Sequence, residues 1–215
     1  MSKKIGKLML FSSTAIHNAS TSEKVSKAIA MFGYSPSKLK AGKSLLATVE
    51  KLVALQKKAY GLKLGAYQVK TNSKDIANEV YIPYVKIARI ALKSDKGAFQ
   101  ALELHGKRKR GYVAWLAQAK TFYTNVLANQ DYKAAMANFG ITQKKLLAAL
   151  NLVIKADDAL AHYKKATGEA QNATERRNIA IKALEEWMKD FIAIAKIALE
   201  DQPQMMEVLG VIVPS

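Results

Sequence analysis

The sequence contains no cysteine, which excludes disulfide bonds, zinc–thiolate sites, iron–sulfur clusters and cysteine nucleophiles. It also has only four prolines and eleven glycines among 215 residues. The dominant residues are Ala, Leu, Ile and Lys, which favour helices, and no segment alternates apolar and polar residues as a half-buried strand would. The composition therefore predicts an all-α protein.

No apolar run is long enough to cross a membrane. The first twenty residues combine lysines with a short apolar stretch, as a signal peptide does, but Ser12, Ser13 and Thr14 interrupt that stretch early. We interpret this segment as the first helix. A cytoplasmic location is expected, because a cysteine-free chain suits a reducing compartment.

Histidine is scarce, and this argues against a metal enzyme built in a helical bundle. A di-iron site needs Glu-x-x-His pairs on facing helices, and none of the three histidines has Glu three residues before it. Asp158 and His162 stand one helical turn apart, which is more typical of a surface pair than of a metal site. We therefore predict no bound metal and no cofactor.

Other motifs of catalysis are missing as well. Gly42-Lys43-Ser44 ends like a phosphate-binding loop, but Ser37 stands where that loop needs its first glycine. Glu79 and Glu186 are two acidic residues 107 positions apart. The simpler interpretation of each is a carboxylate on the helix surface that pairs with a lysine. No catalytic residue is predicted, and the chain is not expected to be an enzyme.

The sequence repeats itself once at an offset of 107 residues. Phe32-Gly33 returns as Phe139-Gly140, and the segment 84–92 returns as 191–199 with its apolar residues in the same phase. The match predicts three parts: a first helical repeat at 1–106, a basic connector at 107–111 and a second helical repeat at 112–215. We interpret the fold as a helical bundle in which two similar units pack with pseudo-twofold symmetry. A monomer is expected, because the duplication can supply the symmetric interface.

Each repeat is predicted to contain three or four helices. Gly33 and Gly140 are placed to end a short helix in the left-handed conformation, and Ser35 and Thr142 to cap the long helix that follows. A turn is expected within 61–74, and for its counterpart at 168–174 a partly helical segment is the alternative. Pro83 is expected to bend the last helix of the first repeat. Four aromatic residues on the helical stripes are predicted to lie in the core: Tyr84, Trp115, Trp187 and Phe191.

The net charge of +17 is unevenly distributed between the repeats. Residues 1–106 hold eighteen basic and six acidic residues, whereas 111–215 hold twelve and eleven. A basic surface attracts nucleic acid or another polyanion, although a lysine-rich surface also keeps a bundle soluble. The candidate polyanion-binding residues are Lys38, Lys40, Lys43, Lys57, Lys58, Lys63, Lys107, Arg108, Lys109 and Arg110.

The resulting prediction is a non-enzymatic helical-bundle protein with a binding or structural role, for which the sequence identifies no ligand or partner. The alternative is a binder of nucleic acid or of an acidic protein surface through the first repeat and the connector. Specific function is expected where the two repeats differ, because what they share is apolar spacing.

Overall fold

A computed structural model describes residues 3–212, and the regular elements in that range are all helices. The helices are α1 (Lys3–Thr21), α2 (Glu23–Met31), α3 (Pro36–Ala91), α4 (Lys96–Ala101), α5 (Tyr112–Ala128), α6 (Gln130–Ala137), α7 (Gln143–Ala198) and α8 (Met205–Val208). The prediction of an all-α, bundle-like fold is confirmed. No helix of the described range is long and apolar enough to span a membrane.

The predicted signals at the helix ends are confirmed. Gly33 and Gly140 have φ of 83° and 73°, a left-handed conformation that glycine adopts without a Cβ clash. The hydroxyls of Ser35 and Thr142 each accept a hydrogen bond from the backbone N–H three residues later, at 3.4 Å. Pro36 is the first residue of α3, where its missing N–H costs no intrahelical bond.

The turn expected within 61–74 is wrong, whereas the helical alternative for its counterpart at 168–174 is confirmed. α3 and α7 are each a single helix of 56 residues. Gly61 and Gly65 lie inside α3, where an isolated glycine costs about 1 kcal/mol relative to alanine but does not end a helix by itself. Pro83 also lies within α3, and the bend expected there stays a prediction.

The chain forms two compact units, and α3 and α7 each belong partly to one unit and partly to the other. Unit 1 comprises the described residues of Met1–Gly61 and Gly168–Ser215, and unit 2 comprises Leu62–Thr167. Each unit therefore takes residues from both predicted repeats.

Unit 1 has a core in which aromatic rings pack against a glycine. The ring centroids of Trp187 and Phe191 are 5.2 Å apart, and Tyr34 lies 5.8 Å from Trp187 and 5.2 Å from Phe191. A Cβ at Gly42 would lie only 2.4 Å from the Trp187 ring, so glycine is what admits the indole at this place. Phe191 is fully buried and Trp187 is half-buried.

Unit 2 has a larger aromatic core. Tyr81, Trp115, Phe122 and Tyr123 are buried and contact one another through edge-on and tilted rings. The Trp115 indole N–H donates to the Asn78 side-chain oxygen at 2.8 Å. Burial raises the pKa of the Tyr123 hydroxyl. The predicted core position of Trp115 is thereby confirmed, as is that of Phe191, whereas Tyr84 is only half-buried.

Candidate polyanion interface

Four lysines lie along one exposed face of α3 within unit 1. Lys40, Lys51 and Lys58 are eleven and seven residues apart, close to whole numbers of helical turns, and Lys43 borders the same face. We call Lys40, Lys43, Lys51 and Lys58 the lysine face. The opposite side of the helix carries the buried residues Leu39, Leu46, Val49 and Val53. Burial of that apolar side fixes which way the lysines point.

The lysine face is not neutralised by nearby acids. Glu50 is the only acidic residue between Pro36 and Gly61. It lies on the same side of the helix as Lys43, but about 10 Å further along the axis, and forms no ion pair with it. Within residues 3–212, none of the four lysine side chains forms an ion pair or hydrogen bond. All four ammonium groups are therefore available to an external anion.

The lysine face begins at a small pocket near the start of α3. Lys40 and Lys43 line this pocket of about 220 Å³ together with Ser20 and Ser26. The two ammonium groups and the Ser26 hydroxyl can donate hydrogen bonds to an anionic oxygen, whereas the Ser20 hydroxyl already donates to the Ile16 carbonyl at 2.8 Å. The pocket therefore suits one anionic group of a longer polyanion.

Charge is polarised inside unit 1. The segment 1–61 holds eleven basic and two acidic residues, whereas 168–215 holds five basic and eight acidic residues. One acid, Glu185, lies 3.4 Å from the Lys4 ammonium. The surplus positive charge of unit 1 therefore comes from the part of the chain that carries the lysine face.

The structure does not bring all ten predicted residues together. The Lys38 ammonium lies 4.1 Å from the centre of the Tyr34 ring, an attractive cation–π contact. Lys57 is exposed about 100° around the helix from Lys58. Lys63 belongs to unit 2. Among the predicted lysines of α3, only Lys40, Lys43 and Lys58 share one face, and Lys51 was missed.

The connector belongs to unit 2, and one of its arginines is held internally. Arg108 donates to the carbonyls of Glu103 and His105 at 2.5 and 2.9 Å, and to the Tyr81 hydroxyl at 3.3 Å. Burial raises the pKa of Tyr81 although this arginine opposes the shift. Lys107, Lys109 and Arg110 are exposed. Arg108 therefore stabilises the connector, and the other three are accessible.

Sequence reasoning also missed two half-buried lysines of unit 2. The Lys70 ammonium lies 4.5, 5.3 and 4.7 Å from the ring centres of Tyr67, Tyr112 and Tyr163. Lys74 donates to the Arg110 carbonyl at 3.0 Å. No local signal could have revealed these contacts, because Tyr112 and Tyr163 are 42 and 93 residues from Lys70.

Tyr112 is the central ring of this group. Its hydroxyl lies 3.0 Å from the Lys70 carbonyl and 2.8 Å from the Ala156 carbonyl. Burial is the main cause that raises its pKa to about 12, and the carboxylates of Asp157 and Asp75 add to the shift. The phenol is therefore neutral at physiological pH and joins α3 to α7 within unit 2.

The other sequence candidates lie on the surface. Asp158 and His162 are both exposed, and the described residues contain no group of three or more His, Asp or Glu side chains that could hold a metal ion. The Glu186 carboxylate lies 4.0 Å from the Lys182 ammonium, so the predicted acid–lysine pair is confirmed there. Glu79 is exposed.

No protein-family model matches this chain, and no curated protein or solved structure matches it either.

Proposed function

We propose that this protein is a non-enzymatic binder of linear polyanions, which it contacts through the lysine face of unit 1. The observation that carries the proposal is the row of Lys40, Lys43, Lys51 and Lys58 on one exposed helix face without acidic partners. Lysines bind phosphate as point charges, and the affinity comes largely from the release of condensed counterions.

The dimensions of the face suit an extended chain of charges. Lys40 and Lys58 are eighteen residues apart, which corresponds to about 27 Å along the helix axis. A polynucleotide strand carries one phosphate about every 3.4 Å, so the face spans several phosphates. Because each lysine is a point charge on a flexible stem, and phosphate contacts carry no base information, we expect binding independent of base sequence.

The test is retention on heparin and on double-stranded DNA at increasing salt. In the variant K40Q/K51Q/K58Q we expect the slope of log affinity against log salt on DNA to fall by about two to three, since each lost phosphate contact removes about 0.9. The matched control is K144Q/K155Q/K164Q, which removes the same charge from exposed positions of α7 in unit 2.

Two results would contradict the proposal. One is the absence of retention near physiological salt by the unmodified protein. The other is an equal loss of slope in both triple variants, which would show that net charge alone governs retention.

We further propose that the chain arose by duplication, that the two repeats are related by pseudo-twofold symmetry, and that the protein is a cytoplasmic monomer. The bounds of α3 and α7 support the first part, because both ends of these helices differ by 107 residues, the offset of the sequence repeat. The starts of α2 and α6 differ by the same number.

A further inference from the structure

A groove of about 730 Å³ lies on unit 1, between α1, the second half of α7 and the residues after α8. Its walls are mainly apolar and include Leu8, Phe11, Met188, Ile192 and Val211. This volume falls in the range of about 300–1,000 Å³ that is typical of small-molecule sites. The groove is separate from the lysine face and has no role in the polyanion proposal.

Two cationic side chains border the groove. Lys189 and Lys196 both line it and are exposed, and their seven-residue spacing places them on the same side of α7, about 10 Å apart. Neither side chain forms an ion pair or hydrogen bond within the described part of the chain. Glu185 also lines the groove, but its carboxylate lies 3.4 Å from the Lys4 ammonium. The border of the groove is therefore positively charged.

The corresponding place in unit 2 is covered by the chain itself. At the offset of 107 residues, Met188 corresponds to Tyr81 and Phe11 to Gln118. In unit 2 these two polar side chains hold the connector, because Arg108 donates to the Tyr81 hydroxyl at 3.3 Å and the Lys109 N–H donates to the Gln118 side-chain oxygen at 3.1 Å. Polypeptide is thus the occupant in unit 2.

Unit 1 lacks the groups that would hold a polypeptide in this place. Methionine and phenylalanine stand where unit 2 has a hydroxyl and an amide, so peptide groups lying there would lose water without gaining hydrogen bonds. A hydrocarbon chain has no such requirement. Lys189 replaces Ile82, so unit 1 adds a cation where unit 2 has an apolar side chain.

We propose that this groove binds an amphipathic anion of the long-chain fatty-acid class. The hydrocarbon chain lies along Leu8, Phe11, Met188 and Ile192, and the carboxylate pairs with Lys189 or Lys196. The apolar walls supply affinity in proportion to the chain length that they bury, and the lysines select the charge of the head group.

The first test is calorimetric titration of the full chain with laurate, decanoate and dodecyltrimethylammonium below their micellar concentrations. We expect saturable 1:1 binding of laurate that is tighter than that of decanoate, by up to about fifteenfold for the two additional methylene groups. Dodecyltrimethylammonium has the same chain length but opposite charge and should bind at least tenfold more weakly. Either no saturable binding of laurate or equal binding of the cation would overturn the proposal.

The second test locates the site with variants. Ala193 lines the groove and is exposed, so A193W should fill it and weaken laurate binding at least tenfold, whereas A54W on an exposed part of α3 should not. K189Q/K196Q should weaken laurate binding, and K40Q/K58Q on the lysine face should leave it unchanged. Loss in K40Q/K58Q alone would show that laurate binds at the polyanion surface, and the groove assignment would then be wrong.

Methyl resonances give a readout that does not depend on any variant. In protein labelled at the methionine methyl groups, laurate should shift the Met188 signal and leave the Met136 signal of the unit 2 core unchanged. A titration that shifts neither signal, or Met136 alone, would overturn the proposal.

Discussion

Units 1 and 2 use corresponding helix segments, but the side chains at the border of their cores differ in polarity. In unit 2 the connector is held by hydrogen bonds to Tyr81 and Gln118. In unit 1 the corresponding residues are Met188 and Phe11, and both line an apolar groove. One pattern of apolar spacing therefore supports two surfaces of different chemistry, because that spacing specifies helix packing and not the side chains at the border of the core.

The largest expected effect comes from a charge placed in either core. Leu146 of unit 2 and Phe191 of unit 1 are fully buried, so Leu146→Asp or Phe191→Asp should each reduce the free energy of unfolding by about 3–5 kcal/mol or more. Chemical denaturation measures the loss, and hydrogen exchange locates it in unit 2 for the first variant and unit 1 for the second. If either variant unfolds like the unmodified protein, the core assignment of that unit is wrong.

The next effect concerns the glycine that admits Trp187 in unit 1. Gly42→Ala would place a Cβ inside the ring's contact distance, so we expect the clash to destabilise the protein by about 1–3 kcal/mol despite the better helix propensity of alanine. Gly61→Ala is the matched control in the same helix, since no atom lies within 4 Å of its added Cβ. The control should raise thermal stability slightly. Similar melting temperatures for the two variants would contradict the close Gly42–Trp187 contact.

A smaller effect is expected where the connector is attached to unit 2. Arg108→Met keeps much of the side chain's length but removes three hydrogen bonds, so we expect a loss of about 1–3 kcal/mol. Exposed Arg110 is the control, and Arg110→Met should change stability by less than about 0.5 kcal/mol. Equal unfolding midpoints in urea would show that the connector does not depend on Arg108.

The smallest effect is the pH dependence contributed by Tyr112 of unit 2. Because burial raises the pKa of Tyr112 from 10.0 to about 12, the unfolded chain loses this proton at a lower pH than the folded chain does. The stability contributed by the neutral phenol is complete below pH 10 and is lost as the pH rises toward 12. Tyr112→Phe should therefore flatten the fall in stability across this interval. If Tyr112→Phe leaves the slope of stability against pH unchanged, the pKa of this phenol is not raised in the folded protein.

Much of the local structure could be predicted because it depends on neighbouring residues. Gly33 and Gly140 end helices, and Ser35 and Thr142 begin them, through contacts within three or four residues. The continuity of α3 through Gly61 was not predicted, because an isolated glycine weakens a helix without ending it, and packing along a long helix can exceed that cost.

In the candidate sites, too, only the features that depend on nearby residues could be predicted. Lys40, Lys43 and Lys58 could be found from charge density alone, and Lys51 could have been added from helical spacing. The contacts of Arg108 with Tyr81, and of Lys70 with Tyr112 and Tyr163, join residues from 27 to 93 positions apart. Such contacts leave no periodic pattern in the sequence, so they cannot be predicted from residue spacing.

The sequence by itself determined the helical class, the helix ends marked by Gly33, Ser35, Gly140 and Thr142, and the excess of lysine over acid, because these follow from propensity, capping and composition. The tertiary structure decided the rest. It divided α3 and α7 between two units, and it half-buried one arginine of the connector while leaving its neighbours exposed. It also placed apolar side chains at one surface and hydrogen-bonding side chains at the corresponding one. These outcomes depend on which distant side chains meet, and the hydrogen bonds and apolar contacts formed there determine which arrangement has the lower free energy.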